Sequence, residues 1–432
     1  MSTQSKRVAF HTMGCKLNFS ETSTIKRDFL SRGFTDVNFS DIADIYVLNT
    51  CSVTENANKE ARKLIRQAKR KNPFSSIVAI GCYAQLNPDE ISQTDGVDLV
   101  LGAEQKFDIL DHLDLIDIDQ RSKKVHSTIN KAKNFIPSFS LNDRTRSYLK
   151  IQDGCNYKCT FCTIPLARGF SRSNSIDKTV SLAKKVEEAG AKEIVLTGVN
   201  IGDFGKKQKE SFLDLIRSLD KLTKIERFRI SSIEPNLLST DIIDFCNESD
   251  KFMPHFHIPL QSGSNKILRL MKRRYDTELY QRRIEYIKSL MPDTCLGVDV
   301  IVGFPGETDS DFNDTYQFLQ SIDVSYFHVF TYSERSNTLA ANYKNKVPMK
   351  IRSKRSKELH RLSDIKKSFF HNSYLGTSRN VLFEHSFNGE AFGHTDNYIP
   401  ISVKTSTDLK NKIKKINISN KGRKSLEGKF IS

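Results

Sequence analysis

No apolar run in this chain approaches the roughly 20 residues that a membrane-spanning helix needs. The first residues, Met1 to Arg7, lead straight into a strand-like Val8-Ala9-Phe10-His11 and lack the apolar segment of a secretion signal. A cytoplasmic protein with no membrane partner is therefore expected. Internal repeats and long low-complexity tracts are missing as well, which argues against a solenoid. Acidic residues are in short supply: 51 Asp and Glu stand against 67 Lys and Arg, a net charge of +16. In a soluble protein that excess points to a polyanionic partner, most simply nucleic acid. The 432 residues suffice for two or three domains, each with a core of its own.

Eight cysteines are present. In a cytoplasmic chain they argue for metal binding or catalysis rather than disulfides. Cys155, Cys159 and Cys162 stand in a Cys-x3-Cys-x2-Cys frame on one short stretch. An iron–sulfur cluster normally takes four thiolates, so three would leave one iron open to a small molecule. The competing reading is a structural zinc site, which needs a fourth Cys or His at a regular offset. No Cys lies between Cys162 and Cys246, and the nearest downstream histidines, His255 and His257, fall in a strand-like run.

The first 120 or so residues alternate strand and helix signals. Short apolar runs at 8–12, 45–50 and 77–81 are separated by helical stretches at 21–32 and 57–71. This pattern predicts a parallel sheet. A cysteine follows each run: Cys15, Cys51 and Cys82. Loops at the carboxyl ends of parallel strands share one edge, so the three would converge on a second cluster site. Three buried free thiols are the alternative. Residues 126–144 are polar and irregular and read as a linker.

From residue 148 a second α/β run begins, with strand candidates near 148–152, 193–197, 227–231, 256–260, 297–302 and 325–331. Six β/α units predict a partial barrel whose chemistry sits at the carboxyl ends of its strands, where Cys155 falls. Beyond about residue 370 short strands alternate with turns. They predict a small all-β module rich in lysine, of a kind that often binds oligonucleotides. Cys246 and Cys295 lie in stretches that read as core. Three basic clusters stand out: seven Lys/Arg in 59–71, eight in 350–367 and nine in 401–432. Each could offset phosphate charge.

The Cys155, Cys159, Cys162 frame, with Phe161 before its last cysteine, resembles the signature of the radical S-adenosylmethionine (SAM) superfamily. Cys15, Cys51 and Cys82 in their contexts, with the β-rich tail, resemble its methylthiotransferase branch over nearly the whole chain. Further matches are Ala167-Arg168-Gly169-Phe170-Ser171-Arg172, Leu196-Thr197-Gly198-Val199-Asn200, Ser231-Ser232-Ile233-Glu234-Pro235, His257-Ile258-Pro259-Leu260-Gln261, Gly303-Phe304-Pro305-Gly306-Glu307 and Tyr332-Ser333-Glu334-Arg335. Gly14-Cys15-Lys16-Leu17-Asn18, Gly81-Cys82-Tyr83 and Arg274-Tyr275 look most like the enzymes acting on N6-threonylcarbamoyladenosine in tRNA. The run 199–205 departs from the His-Leu-Gly usual there.

The resemblance implies a cluster domain over 1–125, a partial (β/α)6 barrel over 145–368 and a TRAM domain over 369–432. It implies two [4Fe–4S] clusters, one on Cys155, Cys159 and Cys162 that binds SAM and an auxiliary one on Cys15, Cys51 and Cys82. Phe161, Gly198, Asn200, Ser232, Gln261 and Gly303 would be near SAM, and Arg168 and Arg172 near phosphates or the threonyl carboxylate. Implied partners are a tRNA anticodon stem-loop, a reduced flavodoxin or ferredoxin-type electron donor and a sulfur donor, with the enzyme a monomer. The same chemistry on N6-isopentenyladenosine, or on a ribosomal-protein aspartate, is the alternative within the family. A zinc-containing RNA-binding protein is the alternative outside it.

Overall fold

Six short strands open the chain: β1 (Arg7–Thr12), β2 (Thr35–Val37), β3 (Ile45–Thr50), β4 (Ser76–Gly81), β5 (Leu99–Leu101) and β6 (Lys123–Val125). In the computed structural model, which describes residues 5–52, 54–116, 122–129, 132–141, 143–422 and 425–431, they form one all-parallel sheet in the order β2-β1-β3-β4-β5-β6. Met1 to Gln4, Asn130, Lys131 and Asn142 of the expected linker, and Arg423 and Lys424 of the third basic cluster lie outside the described residues. Every residue of β3 is buried, as expected for a parallel strand covered on both faces. Val8, Val47 and Val78 face Phe29 of the helix Lys16–Ser31 on one side. Tyr46, Leu48 and Ala79 face Ala61 and Ile65 of the helix Glu55–Lys71 on the other. That second helix buries Asn58, Ala61, Ile65 and Ala68 at helical spacing, which leaves most of the first basic cluster on its solvent side.

The predicted partial barrel follows. Its strands are β7 (Ser138–Phe139), β8 (Arg146–Lys150), β9 (Gln152–Asp153), β10 (Arg172–Ser173), β11 (Glu193–Thr197), β12 (Arg227–Ile230), β13 (His255–His257), β14 (Cys295–Val302) and β15 (Tyr326–Thr331). A sheet β12-β11-β8-β7 and a sheet β13-β14-β15 meet through single bridges, Phe228 to Phe252 and Ser232 to His257. The six expected barrel strands pair in parallel within the two sheets. The stretch 126–144 is more than a tether. It supplies β7, antiparallel to β8, and His126 and Ser127 hydrogen-bond back to Gln85 and Glu104. The helix Lys16–Ser31 packs on β7 and β8 and thereby docks the first sheet against the barrel.

The other barrel edge, β15, is covered by the 24-residue helix Met349–Asn372, whose Ser363 hydroxyl donates to Phe327 O and accepts from Phe327 N. This helix carries the second basic cluster, yet Arg352 and Arg355 are buried. They are spent internally, on Glu334 and on Glu307 and Asp309. Not all of that cluster is available to phosphate.

Five strands end the chain: β16 (Ser378–Phe387), β17 (Glu390–Thr395), β18 (Pro400–Lys404), β19 (Ile413–Lys421) and β20 (Leu426–Phe430). They close into a barrel around Val381, Phe383, Ile401, Ile416 and Ile418. Closure removes the exposed edges that a small sheet otherwise presents. Of these, the apolar runs at 381–384, 390–395 and 398–403 read as strands from the sequence, and β19 and β20 do not. Tyr398, at φ +70°, projects from this module under the larger barrel, 4.4 Å from the His255 ring and below the Arg146 and Arg229 guanidiniums. No helix among the described residues is long and apolar enough to cross a membrane.

Candidate metal centres and cofactor cavity

Cys155, Cys159 and Cys162 lie on the loop between β9 and the short helix Ile164–Arg168, at the carboxyl end of the first barrel strand. The loop starts at Gly154, φ +70°, where a Cβ would stand 2.2 Å from Phe170 O, so only glycine fits. Cys155 N donates to Gly169 O, and Thr160 is tied to Leu270 and Met271 through their carbonyls. Arg273 donates to Cys159 Sγ at 3.0 Å and pairs with Glu234. Burial pushes the Cys155 and Cys162 thiols up, to about 11 and about 12. It raises Cys159 too, against the pull of Arg273. Thiols held up in this way bind metal only by giving up protons.

The loop opens onto a cavity of about 310 Å³. Phe161, Asn200, Ser232 and Gln261 line it, as expected of residues near a cofactor. Its wall also holds Asp299, Arg335 and, from the first domain, Thr54. Asn200 Oδ1 and Tyr332 OH are buried there without partners, so the wall has unused hydrogen-bonding capacity for a polar ligand. No His and no fourth Cys lines the cavity. Among the described residues, only His257, Asp299 and His328 have three ligand atoms all within 4.8 Å of one another. Sulfurs around one tetrahedral zinc sit about 3.8 Å apart, given a Zn–S length of about 2.3 Å. The wider cysteine spacing suits a multi-iron cluster with an open site.

Two of the expected positions behave differently. Gly198 packs behind the wall, where a Cβ would meet Ile201 and Gln152. Gln152 Oε1 accepts from the Val199 and Asn200 amides. Gly303 is away from the cavity. It turns the chain after β14 at φ +75°, its N–H bonds Glu307, and a Cβ would stand 2.3 Å from Arg352 Cγ.

Cys15, Cys51 and Cys82 follow β1, β3 and β4, which are neighbours in the sheet at the point where strand order reverses. The loops press together. A Cβ on Gly14, φ +86°, would be 2.8 Å from Cys51 Sγ, and one on Gly81, φ +95°, 2.4 Å from Thr50 O. The two Gly-Cys dipeptides were the sequence signal for this closeness, and the reading passed over their glycines. Burial raises the Cys82 thiol, opposed by Arg168 and reinforced by Cys15. Arg335 donates to Ser52 Oγ at 2.9 Å and also lines the cavity. The loop of Cys51 therefore borders the cavity of the Cys155 loop. Cys246 and Cys295 are buried elsewhere.

Arg168 and Arg172 do not face a ligand. Arg168 is buried, pairs with Glu21 and Asp153, and donates to Asn18 Oδ1 at 2.6 Å. Arg172 bonds Asp153 Oδ2 and the carbonyls of Asn134, Arg168 and Phe170. Lys106 and Lys150 complete a buried charge network on Glu21. Asn18 anchors this network to Met13 O and Thr50 O beside two cysteines, and Asp153 anchors it to Gly154 N beside a third. Sequence reasoning missed Glu21, Lys106, Lys150 and Asp153, which come from separate segments with no shared motif.

The radical SAM superfamily matches residues 149–319, and a group described as uncharacterized protein family UPF0004 matches residues 7–102. The threonylcarbamoyladenosine tRNA methylthiotransferase MtaB of Bacillus subtilis is 39% identical, covering 98% of this chain and 96% of its own. The MtaB of Aquifex aeolicus is also 39% identical, over 87% and 92%. The tRNA-2-methylthio-N(6)-dimethylallyladenosine synthase of Rickettsia canadensis is 31% identical, over 99% and 100%. Among solved structures, the radical SAM methyltransferase TsrM of Kitasatospora setae superposes with a TM-score of 0.57 over 78% of this chain and 77% of that one. At 12% identity this likeness concerns the fold alone.

Proposed function

The chain belongs to the radical SAM methylthiotransferase family, and we propose from that membership that it converts N6-threonylcarbamoyladenosine beside the tRNA anticodon to its 2-methylthio derivative. The 39% identity to MtaB enzymes along essentially the whole chain carries the choice of substrate. One cysteine trio lines the cavity, and the loop of Cys51 from the second trio borders it through Arg335 and Thr54, which supports the reaction class.

The C2 hydrogen of adenine is not acidic, so no side-chain base can remove it. When bound, SAM and an iron–sulfur cluster supply the radical chemistry that this removal needs. Cys155, Cys159 and Cys162 hold that cluster, and Arg273 orients Cys159 while neutralising part of its charge. Asn200, Ser232 and Gln261 take the polar groups of SAM, and Phe161 packs the cluster loop against Phe304. Cys15, Cys51 and Cys82 would hold a second cluster, which would supply the sulfur. Arg335, bonded to Ser52, keeps the loop of Cys51 against the cavity.

The closed β-barrel at 369–432 acts as a TRAM domain. With the exposed lysines of the helix Glu55–Lys71 it holds the anticodon stem-loop by backbone charge. Domains 1–125 and 145–368 carry the two clusters. A reduced flavodoxin or ferredoxin-type protein donates electrons, a separate donor replenishes sulfur, and the enzyme works as a cytoplasmic monomer.

The test is an anaerobic reaction of reconstituted protein with SAM, a reductant and two tRNA pools, followed by nucleoside mass spectrometry. One pool carries threonylcarbamoyladenosine and the other isopentenyladenosine. A methylthio mass gain on the first alone is expected. A gain on the second alone overturns the substrate, and SAM cleavage with no gain on either overturns both substrates.

A further inference from the structure

The barrel lumen carries a layer of polar side chains at the edge of the cofactor cavity. Asp299 of β14 and His328 of β15 are register partners, and His257 ends β13 on the other side of β14. Side chains two apart on a strand share a face, so Asp299 points with Ile301, and His328 with Phe330. Asp299, Ile301 and Phe330 all line the cavity beneath the Cys155 loop. His328 therefore faces the same lumen.

Three observations single this trio out. Among the described residues it is the one group of three His, Cys, Asp or Glu side chains whose ligand atoms all lie within 4.8 Å of one another. Asp299 has no lysine or arginine partner among those residues: Arg229 pairs with Glu193 and Arg146 with Glu384, while Asp299 meets only His257. A carboxylate largely withdrawn from water is stabilised by a cation. His328, finally, makes no hydrogen bond among the described residues, which leaves its ring nitrogens free to take a ligand.

The spacing suits one shared ion. Two ligand atoms on an ion at about 2.0–2.1 Å stand roughly 2.9 Å apart at a right angle and roughly 3.4 Å apart at the tetrahedral angle. His257 Nε2 and Asp299 Oδ1 are 2.9 Å apart. The centres of two imidazoles on such an ion are roughly 4.5–6 Å apart. Those of His257 and His328 are 5.8 Å apart. A turn of the His328 ring, which no hydrogen bond holds, closes the set.

We propose that His257, Asp299 and His328 bind one divalent transition-metal ion in the lumen, separate from both cysteine trios. Two imidazoles and a carboxylate suit iron(II), manganese(II) or zinc(II). Three protein ligands leave coordination positions open, to be filled by water or by an oxygen group of a molecule in the cavity. The site rests on the lumen geometry and not on which nucleoside is the substrate.

The probe is manganese(II) alone, because thiolates prefer softer ions and the six cluster cysteines do not compete for it. The full chain is reconstituted anaerobically, passed over a chelating resin to remove loose metal, and titrated with Mn2+ while free ion is followed by electron paramagnetic resonance. Wild type should take up one Mn2+ per chain, and pulsed spectra should show two imidazole nitrogens coupled to it. His328→Gln should raise Kd at least about 100-fold, since a direct ligand matters more than an outer partner, whose loss costs about 10- to 100-fold. His328→Asp, which keeps a ligand at this position, should recover most of the affinity with one nitrogen coupled. Iron per chain and the circular dichroism spectrum should match wild type in both variants.

Uptake well below one ion per chain, a bound ion without nitrogen coupling, or a His328→Gln protein that binds as tightly as wild type overturns the site. His257 and Asp299 are then an ordinary hydrogen-bonded pair. The coupling in wild type needs no variant, so it decides the question even where a substitution disturbs the fold. A protein that binds Mn2+ in this way but modifies neither tRNA pool would refute the function proposed above and leave the metal site standing.

Discussion

Replacing Glu21 by glutamine tests what joins the two halves of the molecule. Its carboxylate is fully buried and contacts three cations: Lys106 at 2.6 Å, Lys150 at 3.1 Å and Arg168 at 3.1 Å. Glu21 and Lys106 belong to the first domain, Lys150 and Arg168 to the barrel. Glutamine keeps the shape but removes the charge. Lys106, which is 4% exposed, then has no carboxylate partner among the described residues. Asp153 still serves Lys150, Arg168 and Arg172. Removing one partner of a buried pair costs about 3–5 kcal/mol because the other charge stays buried. Against a typical domain stability of about 5–15 kcal/mol, that suffices to loosen the docking of the two domains.

A chain of several domains has no single unfolding free energy, so the measurement must be local. Hydrogen exchange should show faster opening of the segments 16–31, 138–150 and 164–172 by about two orders of magnitude or more, while strands β16 to β20 stay unchanged. Adding Lys106→Met should recover much of the loss, since removing both partners spares the unpaired charge. There is also a pH signature. Arg168, Lys106 and Lys150 outweigh the burial of Glu21 and hold its carboxyl well below the usual range. Burial likewise works against Asp153 and is outweighed by Arg168, Lys150 and Arg172. A depressed folded-state pKa adds stability that is complete above the unfolded value, about 4.3 for Glu and about 3.9 for Asp, and fades as pH falls below it. Wild-type docking should therefore weaken only below about pH 4, and Glu21→Gln should remove part of that acid dependence. If Glu21→Gln leaves exchange unchanged, or if the double variant is as loose as the sum of its parts, the network does not hold the domains together.

Three further outcomes follow from the site. Gly81→Ala forces a Cβ to within 2.4 Å of Thr50 O at φ +95°, so reconstituted protein should carry close to half the wild-type iron while still cleaving SAM. Cys159→Ala should do the reverse, abolishing SAM cleavage while the spectrum of the cluster on Cys15, Cys51 and Cys82 persists; loss of both signals would mean that the trios assemble as one unit. Hairpin affinity should fall at least tenfold between 50 and 200 mM salt, measured by anisotropy on metal-free protein, because several phosphates are neutralised; a flat response would remove backbone charge as the source of binding.

Much of this molecule could be read locally. Cysteines spaced three and two residues apart, or placed straight after an apolar run, report chemistry within a few residues, and the parallel strands betray themselves by continuous burial. β19 escaped because lysines interrupt it. Its buried Ile416 and Ile418 alternate with more exposed neighbours, a weak signal in a tail read as basic. Arg352 and Arg355 counted as surface charge because nothing near them in sequence names Glu334 or Glu307 as partners. Gly303 looked like a cofactor contact because it follows a barrel strand, yet its glycine serves a turn packed on Arg352.

Arg168 gives the most telling case. A guanidinium beside the cluster loop suggests an anion from solution, but its anions come from residues 21 and 153, brought together only by folding. That substitution has a mechanical meaning. Apolar surfaces tolerate small slips at modest cost. A buried network of several cations sharing two carboxylates does not, since any slip leaves a charge unpaired in a medium that cannot hydrate it. One end of the network is hydrogen-bonded beside Cys15 and Cys51, the other beside Cys155. The two sulfur trios are thereby held in one relative position across a domain boundary. On the function proposed above, a group passes from one centre to a base activated at the other, and that transfer requires such a fixed geometry.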